Sequence, residues 1–163
     1  MTMIVPQEQL EENLKLSADA YVDLFHLQLR NGSNIYLKNG GDNVTWNGHE
    51  WEALPLNFNG YEVKSDGQVS RPKLQVVNPN GVFSKIVLDG DLDRAFLYRY
   101  RVLRRDIDND RPVYQMLMWL IWQCSTINTN YISFELRNPL DGNNFYVPAR
   151  QYLPPEFPAV TFK

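Results

Sequence analysis

Apolar and polar residues alternate along much of this chain with the period of two that is typical of β-strands. The segment Phe96–Leu103 shows it most clearly, because two rows of side chains must face opposite ways. One row is Phe96, Tyr98, Tyr100 and Val102, and the other is Leu97, Arg99, Arg101 and Leu103. Further strands are predicted at 21–29, 35–37, 61–63, 75–77, 113–125 and 131–137. The strand at 21–29 has apolar residues on both faces, which indicates a central place in a sheet.

Turn residues separate these strands. Asn47-Gly48 tolerates the positive φ angles of a type I′ turn, which predicts a hairpin flanked by Trp46 and Trp51. The sequence Asn-Pro-Asn-Gly at 78–81 is a second strong turn. The apolar spacing at 82–88 after it fits one or two helical turns better than a strand. The charged segment 104–112 is interpreted as a loop, and Pro55 is expected to end the hairpin.

A helix is predicted at 6–17. Proline suits its first turn, acidic residues lie near its amino end and Lys15 lies near its carboxyl end. Leu10 and Leu14 form a narrow apolar stripe, so we expect the helix to lie against another surface.

Short strands, frequent turns and little helix predict a mainly β protein, an antiparallel barrel or sandwich with an N-terminal helix and one short helical segment. The expected organisation is a helix at 1–19, a β-rich domain at 20–152 and a proline-rich extended tail at 153–163. We find no internal repeat or flexible linker between them.

Composition narrows the class of protein. The chain has 163 residues, of which 44% are hydrophobic and 13% aromatic, and these fractions exclude a disordered chain. Its formal net charge of −3 argues against general attraction to nucleic acid or an anionic membrane. The chain begins with no signal peptide, and its longest apolar run, 116–122, is too short to span a bilayer. We expect a soluble protein that binds neither membranes nor a specific nucleic-acid sequence.

Residues that could carry chemistry are sparse. His26 and His49 lack the partnered spacing of metal ligands. Cys124, the single cysteine, is interpreted as a small buried apolar residue because tryptophan and isoleucine surround it in the sequence. The alternating aspartates at 106, 108 and 110 begin like a calcium loop, but neither the glycine nor the glutamate of that loop follows, so a solvated loop is favoured. No catalytic residue, metal ligand or cofactor is predicted.

One basic concentration comprises Arg99, Arg101, Arg104 and Arg105. Arginines alternating on one strand face could meet a phosphate or an acidic neighbouring subunit, or they could simply pair across strands. The aromatic residues around Trp46 and Trp51 leave a similar choice between a platform for sugars or bases and packing beneath the hairpin.

The proline-rich tail is a third candidate for subunit contact. The segment Leu-Pro-Pro-Glu-Phe-Pro at 153–158 has few backbone donors and would lie extended along a partner. Leu153 and Phe157 are its candidate contact residues, alongside Leu10, Leu14 and the four arginines.

Several motifs in order resemble one viral family. They are Val-Thr-Trp-Asn-Gly at 44–48 with Trp51, Gly-Tyr-Glu at 60–62, Ser-Arg-Pro-Lys-Leu-Gln-Val at 70–76, Asn78 with Gly81, the basic strand 99–104, Trp-Gln-Cys-Ser at 122–125, Ser-Phe-Glu-Leu at 133–136, and Phe145 with Pro-Ala-Arg at 148–150. The series, from about residue 20 to 152, is similar to the minor tail protein L family of lambda-type long-tailed phages.

The resemblance implies a virion protein of the phage tail tip, made in the host cytoplasm. Members of the family are expected as three copies around the tail axis, contributing barrel-like hub domains between the distal tail ring and the central hub or fibre protein. Longer members carry a C-terminal cysteine-rich segment that holds an iron–sulfur cluster. This chain stops at Lys163 without those cysteines, so no cluster is expected in it.

Three hypotheses follow. The leading one is a non-enzymatic structural component of the tail tip. The alternative is a soluble carbohydrate- or ligand-binding β module that uses Trp46 and Trp51. The third is a metal-dependent hydrolase built on His26 or His49 and the aspartates.

Overall fold

The computed structural model describes residues 5–15, 19–61 and 71–139. Within these ranges the chain forms three short helices and nine strands. The helices are α1 Gln7–Asn13, α2 Val82–Leu88, which follows a 3₁₀ turn at Pro79–Gly81, and α3 Arg104–Asp108. The strands are β1 Tyr21–Gln28, β2 Asn34–Asn39, β3 Val44–Trp46, β4 His49–Leu54, β5 Leu56–Asn59, β6 Lys73–Val77, β7 Phe96–Leu103, β8 Tyr114–Ile127 and β9 Tyr131–Arg137. None of the helices in these ranges is long and apolar enough to cross a membrane.

All nine strands join one sheet in the order β3-β4-β2-β1-β7-β8-β9-β6-β5. The pairs are antiparallel except β2 with β4, which run parallel. The predicted mainly β class is therefore confirmed, as is the central place of β1, which pairs with β2 on one side and β7 on the other. The parallel pair was not predicted.

The two ends of the sheet meet at Pro55. This residue joins β4, near one end of the strand order, directly to β5, the last strand at the other end. There the Leu56 backbone N–H donates to Asn39 Oδ1 of β2 at 3.4 Å. The sheet is thus curled into a barrel rather than split into a sandwich. One core fills its interior, drawn from eight strands: Phe25, Leu27, Leu37, Leu54, Leu56, Leu74, Val76, Leu97, Trp119, Ile121, Ile132, Phe134 and Leu136.

The α2 segment closes part of this interior. Phe83 of α2 joins the same buried core. Asn78, itself buried, holds the start of α2: its Oδ1 accepts the Phe83 N–H at 3.1 Å, and its Nδ2 donates to Ser84 Oγ at 2.7 Å and to the Asn128 carbonyl at 3.1 Å. The predicted turn at 78–81 and the helical turns at 82–88 are confirmed.

The β3–β4 hairpin covers part of the outer face of the barrel. Asn47 and Gly48 have φ angles of 53° and 74°, as the predicted type I′ turn requires. Trp46 Nε1 donates to the Arg111 carbonyl at 3.0 Å, and Trp51 Nε1 donates to the Trp46 carbonyl at 3.1 Å. Both rings belong to a second buried cluster, on the side of the sheet opposite the interior. Its members are Leu24, Trp46, Trp51, Val102 and Ile107.

The long strand β8 contains two irregularities. Its register against β9 shifts between Ile121 and Gln123 and again between Cys124 and Thr126. As a result Ile121 and Cys124, three residues apart, both pack against the interior core, while Trp122 between them is exposed. Cys124 is half-buried, which is less than the full burial expected from the sequence, and burial raises the pKa of its thiol.

One local prediction is wrong. The segment 104–112 is not simply a loop, because Arg104–Asp108 forms α3 and buries Ile107 in the second cluster. The prediction for Pro55 is confirmed, because β4 stops at Leu54 and a separate strand, β5, begins after the proline. Of the predicted strand 61–63 only Tyr61 is described, and it is not in a strand. The predicted tail and the turn at 141–142 lie outside the described residues.

We predict that Trp51→Ala lowers the free energy of unfolding by about 3–5 kcal/mol, because it removes a fully buried ring and a hydrogen bond. Denaturant unfolding measures the change. Glu52→Ala, on an exposed position of the same strand, is the matched control and should change stability by less than about 0.5 kcal/mol. Equal losses in the two variants would contradict the role given to Trp51.

Candidate interface surfaces

Arg99 and Arg101 lie on the interior row of β7 and converge on Asp23 of β1. Arg99 Nη2 lies 2.6 Å from Asp23 Oδ2, and Arg101 Nε lies 3.3 Å from Asp23 Oδ1. The Arg99 guanidinium also lies 4.9 Å from the centroid of the Phe58 ring, and its side chain is only 12% exposed. Cross-strand pairing, one of the two possibilities left open by the sequence, is thus present within a single chain.

These arginines line a small cleft of about 130 Å³. Its other lining residues are Tyr61, Gln115 and Leu117. The Arg101 side chain is 44% exposed, so its guanidinium can contact a partner while Arg99 remains paired with Asp23. The residue open to contact in this pair is therefore Arg101.

Arg104 and Arg105 lie at the start of α3. Arg104 Nε pairs with Asp108 Oδ1 at 3.1 Å, and both side chains are more than half exposed. Arg105 Nη1 instead reaches Glu12 Oε2 of α1 at 2.7 Å. Hydrogen bonds from Lys15 and from the Asp19 N–H lower the pKa of Glu12, and the Arg105 charge adds to this effect. Arg105 therefore fastens α1 to the barrel.

Helix α1 docks through its polar side. Gln9 is fully buried and its Nε2 donates to the Arg101 carbonyl at 3.3 Å, while Arg111 Nη2 lies 2.9 Å from Glu8 Oε1. Leu10 and Leu14 point away, with 51% and 87% of each residue exposed. The predicted apolar stripe is thus on the surface and is not used by this chain's own described residues.

Asp106 departs from expectation. The sequence favoured a solvated aspartate loop, but Asp106 is fully buried and its Oδ1 lies 3.2 Å from Arg111 Nη1. Arg111 also pairs with Glu8 of α1, so this arginine links the Asp106 carboxylate of α3 to helix α1. Among the described residues, no group of three or more histidines, cysteines or acids is placed to hold a metal ion.

The outer face of the barrel carries a second group of aromatic and apolar side chains, which the hairpin contacts at one end through Tyr36. We call it the open aromatic face. Its members occupy adjacent strands in register, with Tyr36, His26, Tyr98 and Met118 in one row, Phe96 and Leu120 in the next, and Trp122 beyond. Four rings stack across the strands: His26 lies 4.7 Å from Tyr36 and 5.2 Å from Tyr98, and Tyr36 lies 4.3 Å from His49. Phe96 and Trp122 are each 38% exposed.

Sequence reasoning did not identify this face. The signal was present, since even-numbered residues of 96–98 and 116–122 are all large and apolar. It could not be used without knowing which row faces outward and which strands adjoin. The two histidines considered as metal ligands belong instead to the ring stack.

The sugar-binding alternative is wrong for the residues proposed. Trp46 and Trp51 are 1% and 2% exposed, so they offer no platform to a ligand. Leu153 and Phe157 lie outside the described residues, and their predicted role in subunit contact stays a prediction.

Comparison with known proteins identifies the family. The model of the family described as phage minor tail protein L matches residues 25–158. The chain belongs to this family. It is 26% identical to "Tail tip protein L" of Escherichia phage lambda, over 90% of this chain and 70% of that protein. This member of the family is therefore a structural protein of the phage tail and is located in the virion.

A solved structure supports the fold. The tail protein aligns with a chain of the virion of a native gene transfer agent (GTA) particle with a TM-score of 0.67 and 13% identity. The alignment covers 91% of this chain and 50% of that one, so this chain spans about half the length of its structural relative. At this identity the likeness concerns the fold alone.

We predict that Asp23→Asn destabilises the protein by about 1–3 kcal/mol, because the nearly buried Arg99 loses its charged partner. Asp108→Asn is the matched control, since the exposed Arg104–Asp108 pair should contribute less than about 0.5 kcal/mol. Thermal or denaturant unfolding separates the two variants. A larger loss for Asp108→Asn would refute the assignment.

The ring stack predicts a dependence of stability on pH. Burial lowers the pKa of His26 below its ordinary value near 6.5. The hydrogen bond with Asn34 opposes this shift, and the nearby His49 adds to it. A lowered histidine pKa means that the charged form is disfavoured in the folded state. Stability is then complete above about pH 6.5 and falls as the pH drops through the folded pKa. Unfolding measured between pH 7 and 5 should show a shallower decline for His26→Phe than for the unmodified chain, whereas His49→Gln should retain a decline.

Proposed function

We propose that this protein is a structural component of the tail tip, joining the distal tail ring to the central hub or fibre protein as three copies around the tail axis. The observation that carries the proposal is the family match over most of the chain together with the similarity to the lambda tail tip protein. The partners are other tail proteins and further copies of this chain.

The arrangement of surfaces supports an assembly role. A ring of identical copies needs two different patches on each subunit, so that one patch meets the other on the neighbour. Leu10 and Leu14 are carried by α1, which contacts the Arg101 end of β7. The open aromatic face includes Phe96, at the opposite end of the same strand. Each subunit therefore has two separated apolar surfaces, so it can contact more than one neighbour at the same time.

The arginines would contribute unequally to such contacts. Arg101 and Arg104 have exposed guanidinium groups already near an acid, so a neighbour's carboxylate could join these pairs. Arg99 instead positions Asp23, and Arg105 positions α1 through Glu12. We propose that Leu10, Leu14, Arg101 and Arg104 touch a partner directly, with Arg99 and Arg105 supporting them, and that Leu153 and Phe157 touch a neighbouring copy.

The experiment that tests this function is incorporation into tails. We predict that Leu10→Asp with Leu14→Asp leaves the melting temperature of the purified chain nearly unchanged, because both side chains are exposed. The same change should reduce incorporation into tails at least about tenfold, since it places charge in an apolar contact. Complementation of a phage lacking this protein, followed by quantification of the chain in purified tails, gives the readout.

Leu88→Asp is the matched control, because Leu88 is an exposed leucine on a different helix, α2. It should support normal incorporation. If the α1 double variant enters tails as well as the unmodified chain, α1 is not an interface. If the unmodified chain is absent from tails, the proposed function itself is refuted.

A further inference from the structure

The open aromatic face is continuous across four strands, and its members Phe96 and Trp122 are each 38% exposed. It crosses β2, β1, β7 and β8 in register. The hairpin cluster covers the neighbouring rows that contain Leu24, Tyr100 and Val102, and it contacts the face itself at Tyr36. Contiguous exposed apolar surface of this kind marks a site of interaction in a soluble protein. The residues at its edge indicate what kind of partner it binds.

Arg137 provides a charged edge to the face. It pairs with Leu120 across β8 and β9, and its guanidinium carbon lies 3.8 Å from the centroid of the Trp122 ring. Among the described residues no carboxylate forms a salt bridge with Arg137, and its buried Nε has no hydrogen-bond partner. An arginine stacked on an exposed tryptophan and lacking an acid is prepared for a carboxylate supplied by another segment.

Aromatic surfaces of this kind bind proline-rich peptides. Such peptides are already extended, lose little entropy on docking, and place their proline rings against tyrosine and tryptophan. The chain contains one strongly matching sequence, Leu-Pro-Pro-Glu-Phe-Pro at 153–158. It combines prolines and two apolar side chains with a single acid, Glu156, and so matches both the aromatic rings and Arg137.

We propose that the open aromatic face receives residues 153–158 of a neighbouring copy, with Glu156 pairing with Arg137 and with Leu153 and Phe157 packing on Phe96, Tyr98 and Trp122. The inference rests on the proposed multi-copy assembly and names the surface that the tail contacts there. The chain leaves β9 beside Trp122, and the stretch from Pro139 to Leu153 can span about 45 Å when extended, enough to reach an adjacent subunit. The contact joins unlike surfaces and can be repeated around a ring.

Charge reversal in the full-length chain tests the pairing. Arg137→Glu alone and Glu156→Arg alone should each weaken self-association at least about tenfold, measured by sedimentation across a concentration series. Mixing the two single variants should restore association between unlike molecules, because the tail of each variant has a charge opposite to that on the face of the other. The double variant should also associate. Leu88→Ser, on exposed surface away from the face, should behave like the unmodified chain.

Other outcomes are decisive against the inference. Restoration in the double variant without restoration on mixing would show that the tail folds onto its own copy. Equal association of every variant would show that Arg137 and Glu156 do not meet. An unmodified chain that remains monomeric up to about 1 mM, a concentration typical of tethered partners, would also contradict it.

A covalent measurement gives an independent result that does not depend on affinity in solution. In a Cys124→Ser background, Tyr98→Cys with Phe157→Cys should yield disulfide-linked dimers and trimers when purified tails are oxidised. Monomer alone, whether cross-linked internally or not, would overturn the inference. Tails that contain the chain but show no linked copies leave the proposed function intact, so the two failures are distinguishable.

Discussion

The whole structure depends on the junction at Pro55. A sheet of nine strands exposes two edges, and here the chain passes directly from a strand near one end to the strand at the other. Proline is suited to this point because it has no N–H to leave unpaired where the ladder changes partners. Once the sheet curls at this junction, its alternate residues are divided into an enclosed row and an outward row.

The division explains why the chain has two clusters of large side chains rather than one. The interior accepts aliphatic side chains, phenylalanines and Trp119, and nearly every strand contributes to it. The outward row is then partly covered by the Trp46–Trp51 hairpin and partly left open as the aromatic face. A monomeric protein would be expected to cover or replace this second surface with polar residues, whereas a subunit of an assembly can retain it.

The elements whose side chains follow a regular period could be predicted from the sequence. The alternation at Phe96–Leu103 gave the bounds of β7, and Asn47-Gly48 gave the hairpin with its turn type. Elements that depend on tertiary contact could not be predicted. Helix α3 forms because Ile107 is buried beneath the hairpin, and β5 pairs because the barrel brings β6 beside it.

The site was harder to predict than the fold for a related reason. Alternation shows that Arg99 and Arg101 share a face, but not whether that face is inside the barrel, nor that Asp23 lies opposite. The apolar stripe of α1 was recognised, although the helix turned out to be fastened by its polar residues Gln9 and Glu12.

The irregular register of β8 has a consequence for how this protein can vary. A strand without bulges would turn every side chain over when one residue is gained or lost. In β8 one extra residue at each of the two bulges changes the register against β9. Cys124 therefore faces inward while Trp122 remains at the surface. A related chain could shorten β8 at a bulge and keep its interior intact. A deletion before Ile121 would instead turn Trp122 towards the core and remove its ring from the outer surface.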